Sequence, residues 1–243
     1  MLSPTEKHQL KQYCENDPQL ALLIRHLEDS HHMELSRISH EIRNPVTLIN
    51  SFLQLTQSHH PEVTSYQTWK SIIENMNYLK QLLEELSDYN NSGKLHKEQF
   101  SLTPFLNSLV AECVPLLSPV KISFQKITAI PPACFDKTKL RAAILNLIRN
   151  AAEALADQDD GEILLSLSFD GSMFHIELSN NGPEIPTEHL SNLFDPFITH
   201  KKDGTGLGLA IVQNIVQAHN GTITVSSSGE STCFSIHIPL SYH

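Results

Sequence analysis

The chain places three alternating glycines near its C-terminal end, in AspGlyThrGlyLeuGlyLeu (203–209). Glycine allows the backbone to approach a ligand closely and leaves backbone N–H groups free to face an anion. A helix is predicted to begin directly after these residues, and its positive end would point at the same anion. Two lysines (201–202) add positive charge just before the glycines. A glycine-rich turn alone is a weak signal, but its chemistry is that of a phosphate-binding loop.

Two asparagines, Asn146 and Asn150, form a second candidate group in a helix predicted from Asp136 to about Ala156. A spacing of four residues places both side chains on one helical face. Their amides can coordinate a cation or hydrogen-bond a phosphate. For this pair taken alone, an ordinary polar helix face is the competing interpretation.

A third group lies in the N-terminal third of the chain, where HisGluIleArgAsnPro occupies residues 40–45. His40 lies two residues from apolar Ile38, about 200° around a helix, so it is predicted on the outer face. Asn44 follows one turn later on the same face, and Glu41 is adjacent. An exposed imidazole beside a carboxylate is a candidate nucleophile with a base at hand.

The elements that carry His40 are predicted from apolar spacing. Apolar residues recur every three or four positions through 18–55 and again from Trp69 to Leu86, with a break at 56–62. This pattern predicts a hairpin of two amphipathic helices, and the absence of glycine before Gly93 is consistent with it. The seams favour a dimer in which two hairpins form a four-helix bundle. The alternative is a hairpin packed on the rest of its own chain.

The elements that carry the asparagines and glycines are predicted to alternate between helices and paired strands. We predict a helix at 103–117, a strand at 121–126, and hairpins within 162–179 and 222–239. The last helix should end near His219. This order indicates an α/β sandwich with helices on one face of a mixed sheet.

Composition excludes several other classes of protein. A net charge of −10 argues against nucleic-acid binding, which depends on basic patches. The four cysteines lack CxxC spacing and are interpreted as reduced thiols of a cytoplasmic protein. We find no signal peptide and expect no membrane span. Residues 1–17 are interpreted as an N-terminal extension too short for a sensor domain.

Five stretches together resemble the two-component sensor histidine kinases, in that family's order and spacing from about Leu20 to Pro239. Three of them are similar to its H, N and G1 boxes: HisGluIleArgAsnProValThr (40–47), AsnLeuIleArgAsnAlaAlaGluAla (146–154) and SerAsnAsnGlyProGluIlePro (179–186). LeuPheAspProPheIleThrHisLys (193–201) resembles the F box, and GlyThrGlyLeuGlyLeu (204–209) the G2 box.

The resemblance implies an α+β fold, in which a dimeric four-helix bundle precedes a GHKL-type α/β sandwich. The dimerisation and histidine-phosphotransfer hairpin would span 18–90, the linker 91–100, and the catalytic ATP-binding domain 101–243. His40 would accept the γ-phosphoryl group of ATP, with Glu41 as general base. Asn44 would position water for a reverse, phosphatase reaction.

The resemblance also implies an ATP site with Mg²⁺ on Asn150 and a lid over ATP at 187–203, attached to the fold through Phe194 and Phe197. The implied nucleotide contacts are Asn146, Asn150, Asn180, Gly182, Ile185, Phe194, Lys201, Gly204, Thr205, Gly206, Leu207 and Gly208. Two residues depart from the family's G1 box: Asn180 replaces an aspartate that binds adenine, and Glu184 replaces a glycine.

The implied function is that of a homodimeric, ATP-dependent protein-histidine kinase without its own sensor domain. It would transfer the phosphoryl group from His40 to an aspartate of a response regulator receiver domain, and it would carry phosphatase activity. Asn180 and Glu184 motivate an alternative, a phosphotransfer or phosphatase scaffold with a weak or inactive ATP-binding domain. A free-standing ATPase is a third hypothesis.

Overall fold

The computed structural model describes residues 13, 17–199, 201, 204–229 and 231–240. It divides into two compact units, a helical unit up to Asn90 and an α/β unit from Asn91 onward. The sequence-based predictions for Lys202, for Asp203 and for most of the extension at 1–17 lie outside the described residues.

The helical unit is a hairpin of α1 (Pro18–His59) and α2 (Gln67–Asn91), joined by a 3₁₀ helix at Pro61–Ser65. Asp17 caps α1, because its Oδ1 accepts hydrogen bonds from the N–H groups of Gln19 and Leu20 at 2.9 and 3.1 Å. The loop expected at 56–62 begins later, since α1 continues to His59. Pro61 disfavours helical geometry in the residue before it, and His60 accordingly leaves the helix with φ −131° and ψ 69°.

The core of the helical unit is small. Val46, Met76 and Leu83 are buried, and Leu53 and Leu79 pack against them. The predicted seam also contained Ile38, Ile42 and Ile49, but these side chains are 45%, 41% and 46% exposed. The hairpin of a single chain therefore leaves these three side chains exposed, because α2 covers only the neighbouring side of α1.

The α/β unit contains a five-stranded sheet in the order β2–β4–β5–β7–β6. Its strands are β2 (Lys121–Lys126), β4 (Glu162–Phe169), β5 (Met173–Asn180), β6 (Thr222–Ser228) and β7 (Ser231–Pro239). The β4/β5 and β6/β7 pairs are the predicted antiparallel hairpins. β2 pairs parallel with β4, so the sheet is mixed as expected.

A second, two-stranded sheet was not predicted. β1 (Glu98–Phe100) pairs antiparallel with β3 (Ala133–Phe135). β1 occupies the end of the segment predicted as a linker at 91–100, so that linker is shorter than expected. Three-residue strands are too short to show the alternation by which strands are identified in a sequence.

The helices of the α/β unit are α3 (Leu102–Leu117), α4 (Lys137–Ala154), the short α5 (Thr187–Leu190) and α6 (Gly208–Ala218). α4 and α6 bury apolar residues such as Ile144 and Ile215, and alternate strand residues such as Ile176 and Phe234 are buried with them. The α+β fold predicted from the sequence is confirmed. In the part of the chain that the structure describes, no helix is long and apolar enough to cross a membrane.

A buried histidine ties the start of α4 to the end of α6. His219 is 1% exposed, and its Nε2 accepts a hydrogen bond from the Asp136 N–H at 2.9 Å. Burial lowers the pKa of His219 below its ordinary value, against the opposing effect of the Ile215 carbonyl. Asp136 caps α4 by accepting from the Lys139 N–H at 2.9 Å. These contacts fix the two helices that carry the site residues.

Candidate active site

One face of α4 presents a row of polar side chains. Asn146 Oδ1 accepts a hydrogen bond from Arg149 Nη2 at 2.9 Å, and Asn150 lies one turn beyond Asn146. Both asparagines are half-buried beside the buried apolar stripe of the helix. Their position agrees with the shared face predicted from their spacing.

Lys201 reaches this face from a segment far along the chain. Its Nζ donates to Asn150 Oδ1 at 2.6 Å and to Glu153 Oε2 at 2.5 Å. The side chains of Lys201 and Glu153 are 45% and 48% exposed. The structure thus brings together two of the sequence-predicted site residues, and it adds Glu153 to them.

The glycine loop lies beside the same helix, and its glycines differ in what they require. Gly206 has φ +70°, and a Cβ there would lie only 2.6 Å from the Phe197 carbonyl carbon. A Cβ on Gly204 would meet Thr199 Oγ1 without room. Gly208 has space, since its nearest neighbour would be Arg149 Nη2 at 3.5 Å. Position 206 therefore requires glycine, because its φ is positive and the backbone of Phe197 lies too close for a Cβ. Position 208 does not require glycine, and it places the start of α6 next to Arg149 and Asn146.

The rest of this loop is held by its own contacts. Leu207 is fully buried, and its N–H donates to Thr205 Oγ1 at 3.3 Å. The Phe197 N–H donates to the Gly206 carbonyl at 3.0 Å. These contacts set the backbone of residues 204–208 at the N-terminus of α6, where the helix dipole favours an anion.

The region around the end of β5 is closely packed. Asn180 is 5% exposed, and a Cβ on Gly182 would lie 2.6 Å from Asn180 Nδ2. The Ile185 N–H donates to Ser227 Oγ at 2.9 Å. Glu184, which departs from the G1 box, is exposed, and its Oε2 lies 4.0 Å from the position of a Cβ on Gly229. The Glu184 carboxylate therefore lies towards the β6–β7 turn.

The two phenylalanines predicted to attach residues 187–203 to the fold behave differently. The half-buried Phe194 ring contacts the Phe234 ring edge-to-face, with centroids 6.4 Å apart. Phe197 is 53% exposed, so its ring contributes little to the attachment of the segment. Its backbone makes the attachment instead, with φ +64° and the hydrogen bond to Gly206.

The histidine group lies in the helical unit. His40 and Asn44 are exposed and stand one turn apart on α1, as predicted. Glu41 is also exposed, and its Oε1 lies 3.8 Å from Arg37 Nε one turn earlier. α1 continues through Pro45. The His40 imidazole is therefore accessible to a reaction partner.

Arg149 and Glu153 are the residues that sequence reasoning missed. Both lie within the AsnLeuIleArgAsnAlaAlaGluAla stretch (146–154), three and seven residues after Asn146. Residues three and seven positions after Asn146 lie on the same helical face as Asn146, so their spacing could have identified them. Their role was not evident because Glu153 meets Lys201 only through the fold of a segment about fifty residues away.

Comparisons with known proteins match each unit to a family. Residues 31–94 match the family described as the His Kinase A (phospho-acceptor) domain. Residues 135–242 match the family described as Histidine kinase-, DNA gyrase B-, and HSP90-like ATPase.

Individual relatives agree with both matches. The chain is 31% identical over 221 residues to the sensory histidine kinase/phosphatase NtrB of Rhizobium meliloti (strain 1021), covering 85% of this chain and 58% of that protein. It therefore spans little more than half of that relative's length.

Solved structures share the fold. Full-length ShkA in complex with AMPPNP aligns with a TM-score of 0.73 at 21% identity, covering 87% of this chain and 46% of that one. Histidine kinase ThkA in complex with the response regulator protein TrrA aligns with a TM-score of 0.60 at 24% identity, covering 96% and 66%. With a phospho-acceptor domain followed by the ATPase-type domain, this chain belongs to the histidine kinase family.

Proposed function

We propose that the chain is an ATP-dependent protein-histidine kinase that phosphorylates itself on His40. The phosphoryl group then passes to an aspartate on a response regulator receiver domain. The observation that carries this proposal is the meeting of Lys201 with Asn150 beside the glycine loop. Phosphoryl transfer depends mainly on positioning and charge stabilisation, and this arrangement offers both.

The polar face of α4 and the glycine loop would bind the triphosphate. Lys201 and the N-terminus of α6 would supply positive charge and hydrogen-bond donors for the phosphate oxygens. Asn146 lies beside the glycine loop, since its Oδ1 is 3.8 Å from the position of a Cβ on Gly208 and accepts a hydrogen bond from Arg149. The half-buried Asn150 side chain offers an amide oxygen, which suits a cation that prefers oxygen donors. Mg²⁺ on Asn150 would neutralise charge that develops on the phosphates.

The packed region at the end of β5 would bind the nucleoside. Asn180 retains a carbonyl acceptor for an adenine amino group, although it lacks the charge of an aspartate. Gly182 leaves room beside Asn180. Ile185 and Phe194 contribute half-buried apolar surface. We interpret Thr205 and Leu207 as residues that hold the loop in its binding conformation.

The exposed face of α1 would perform the transfer. A nitrogen of the neutral His40 imidazole attacks the γ-phosphorus, the bond from that phosphorus to the β–γ bridging oxygen breaks, and ADP leaves. Glu41 accepts the proton that the imidazole loses, a role that contributes about 10²–10⁴-fold in rate for general bases. Asn44, on the same face, would orient water in the phosphatase reaction. That reaction is proposed because a relative is named a kinase/phosphatase.

A second copy of the chain is the proposed partner of the helical unit. The exposed Ile38, Ile42 and Ile49 form an apolar stripe on α1 that the hairpin itself leaves open. Two such stripes would bury each other in a four-helix bundle. The receiver domain is proposed because the related fold of ThkA is described in complex with a response regulator.

The domain boundaries and location complete the proposal. The helical hairpin (18–90) would dimerise and accept phosphate, and residues 101–243 would bind ATP. The proposed linker at 91–100 would join them, although its last three residues form β1 of the α/β unit. A cytoplasmic location would keep thiols such as the buried, free Cys113 reduced. The scaffold hypothesis gains no support from the relatives, which are named as kinases.

The test is incubation of the purified chain with γ-labelled ATP and Mg²⁺. We expect acid-labile, alkali-stable label on the protein, absent from His40→Gln and reduced at least tenfold in Asn150→Ala. Release of inorganic phosphate that survives His40→Gln, without protein label, would favour a free-standing ATPase. No label together with no nucleotide binding by calorimetry would favour the scaffold.

A further inference from the structure

Two oxygens of α4 share the ammonium group of Lys201. Nζ donates to Asn150 Oδ1 at 2.6 Å and to Glu153 Oε2 at 2.5 Å. Glu153 follows Asn150 by three positions, so both side chains reach the same point from one helical face. Lys201 and Glu153 are about half exposed, at 45% and 48%, so water screens the ion pair and a ligand can displace it.

The Lys201 ammonium and a metal ion would compete for the Asn150 oxygen. Mg²⁺ binds oxygen at about 2.0–2.1 Å and requires near-octahedral surroundings. An ammonium 2.6 Å from the same oxygen would lie within a few ångströms of that ion. The repulsion between two positive charges rises as their distance falls, so the presence of one cation at this oxygen disfavours the other.

We propose that Glu153 is a positioning residue that retains Lys201 on Asn150 until Mg²⁺ arrives with the nucleotide. Lys201 and Mg²⁺ then compete for Asn150 Oδ1, and the displaced ammonium becomes available to the phosphate oxygens. Glu153 sets how readily this exchange occurs. The inference rests on the proposed function, because it takes the nucleotide site as given.

The competition predicts the direction in which the metal requirement changes. Glu153→Gln keeps the length of the side chain but removes the charge that anchors Lys201. The Mg²⁺ concentration for half-maximal binding of AMPPNP should therefore fall, by about two- to fivefold for a half-exposed pair. A rise would mean that Glu153 is itself a metal ligand, and it would overturn the proposal.

A double-mutant cycle separates positioning from a general effect of charge. In a Lys201→Met background, Glu153→Gln should change the Mg²⁺ requirement by less than about 1.5-fold, because the lysine that it positions is gone. If the full effect persists without Lys201, Glu153 acts on Mg²⁺ directly through space, and the proposal fails.

Glu112→Gln is the matched control. Glu112 Oε2 lies 2.6 Å from Arg141 Nη2, and these side chains are 52% and 42% exposed, much like the Lys201 pair. The substitution removes the same charge from an ion pair between α3 and α4. We expect no change in the Mg²⁺ requirement, and a change equal to that of Glu153→Gln would overturn the specific role of Glu153.

A nucleotide-free measurement makes the two possible failures distinguishable. The rate at which acetic anhydride modifies Lys201, followed by mass spectrometry, should rise about two- to fivefold in Glu153→Gln and stay constant in Glu112→Gln. An unchanged rate with intact AMPPNP binding would overturn the inference alone. Failure of the wild-type chain to bind AMPPNP at any Mg²⁺ concentration would overturn the proposed function and the inference with it.

Discussion

The helical unit and the α/β unit bury their apolar side chains to very different degrees. In the described hairpin, a core of Val46, Met76 and Leu83 is flanked by exposed residues such as Ile42 and Ile49. The α/β unit closes a continuous core between its helices and its sheet. The difference indicates that the α/β unit is stabilised by a core of its own, whereas the hairpin that carries His40 leaves apolar surface open for the second copy that we propose.

The largest expected effect comes from placing a charge on the open stripe of the hairpin. Ile49→Asp should shift the chain from dimer to monomer, because the carboxylate would be buried without a partner at a cost of several kcal/mol (about 3–5). Sedimentation should report half the wild-type mass. Ile127→Asp is the control, since Ile127 is 58% exposed on the α/β unit, and it should leave the mass unchanged. If the wild-type chain sediments as a monomer, the hairpin does not need a second copy, and the proposed contrast between the two units is wrong.

The second effect tests whether the α/β unit is defined by its own backbone geometry. Gly206→Ala should lower the free energy of unfolding of this unit by about 1–3 kcal/mol, because an alanine must adopt positive φ and collide with residues 197–198. Gly208→Ala should stay within about 0.5 kcal/mol, because space is available. Urea unfolding followed by circular dichroism measures both. Equal effects would show that close approach at Gly206 is unimportant.

The third effect is a pH dependence of the α/β unit that arises from its buried histidine, His219. Burial holds the pKa of His219 below the ordinary histidine value of 6.5, so the unfolded chain binds a proton more readily than the native one. The contribution of His219 to the free energy of unfolding should therefore be fully present above pH 6.5 and be lost as the pH falls below that value. The slope should be at most about 1.4 kcal/mol per pH unit. His219→Gln should remove this component of the slope in urea titrations between pH 5 and about 7. An unchanged slope in that variant would exclude His219 as its source.

The smallest effect concerns the altered G1 box. Asn180→Asp restores the carboxylate expected by resemblance and should tighten ATP binding by about fivefold, or ~1 kcal/mol, through a charge-assisted hydrogen bond. Asn181→Asp, on the exposed neighbour, is the matched control and should have little effect. Calorimetric titration with ATP compares them. Weaker ATP binding by Asn180→Asp than by the wild-type chain would indicate that the pocket requires the amide group of Asn180.

The sequence was most informative where a pattern is local. The spacing of Asn146 and Asn150 predicted their shared face, and the period-two pattern predicted the β4/β5 hairpin. It was silent where two distant segments meet. The exposure of Ile38 depends on which side of α1 faces α2, and the pairing of Glu153 with Lys201 depends on how a segment about fifty residues away returns to α4. Periodicity does not encode either outcome.

The central claim is that the self-contained unit supplies a phosphoryl group to a histidine on the incomplete one. The most direct measurement is mapping of the phosphorylated residue by mass spectrometry at alkaline pH after incubation with ATP and Mg²⁺. We predict phosphate on His40 in the wild-type chain and its loss in Asn150→Ala, a substitution in the other unit. Phosphate on a different residue, or undiminished phosphate on His40 in Asn150→Ala, would contradict the account.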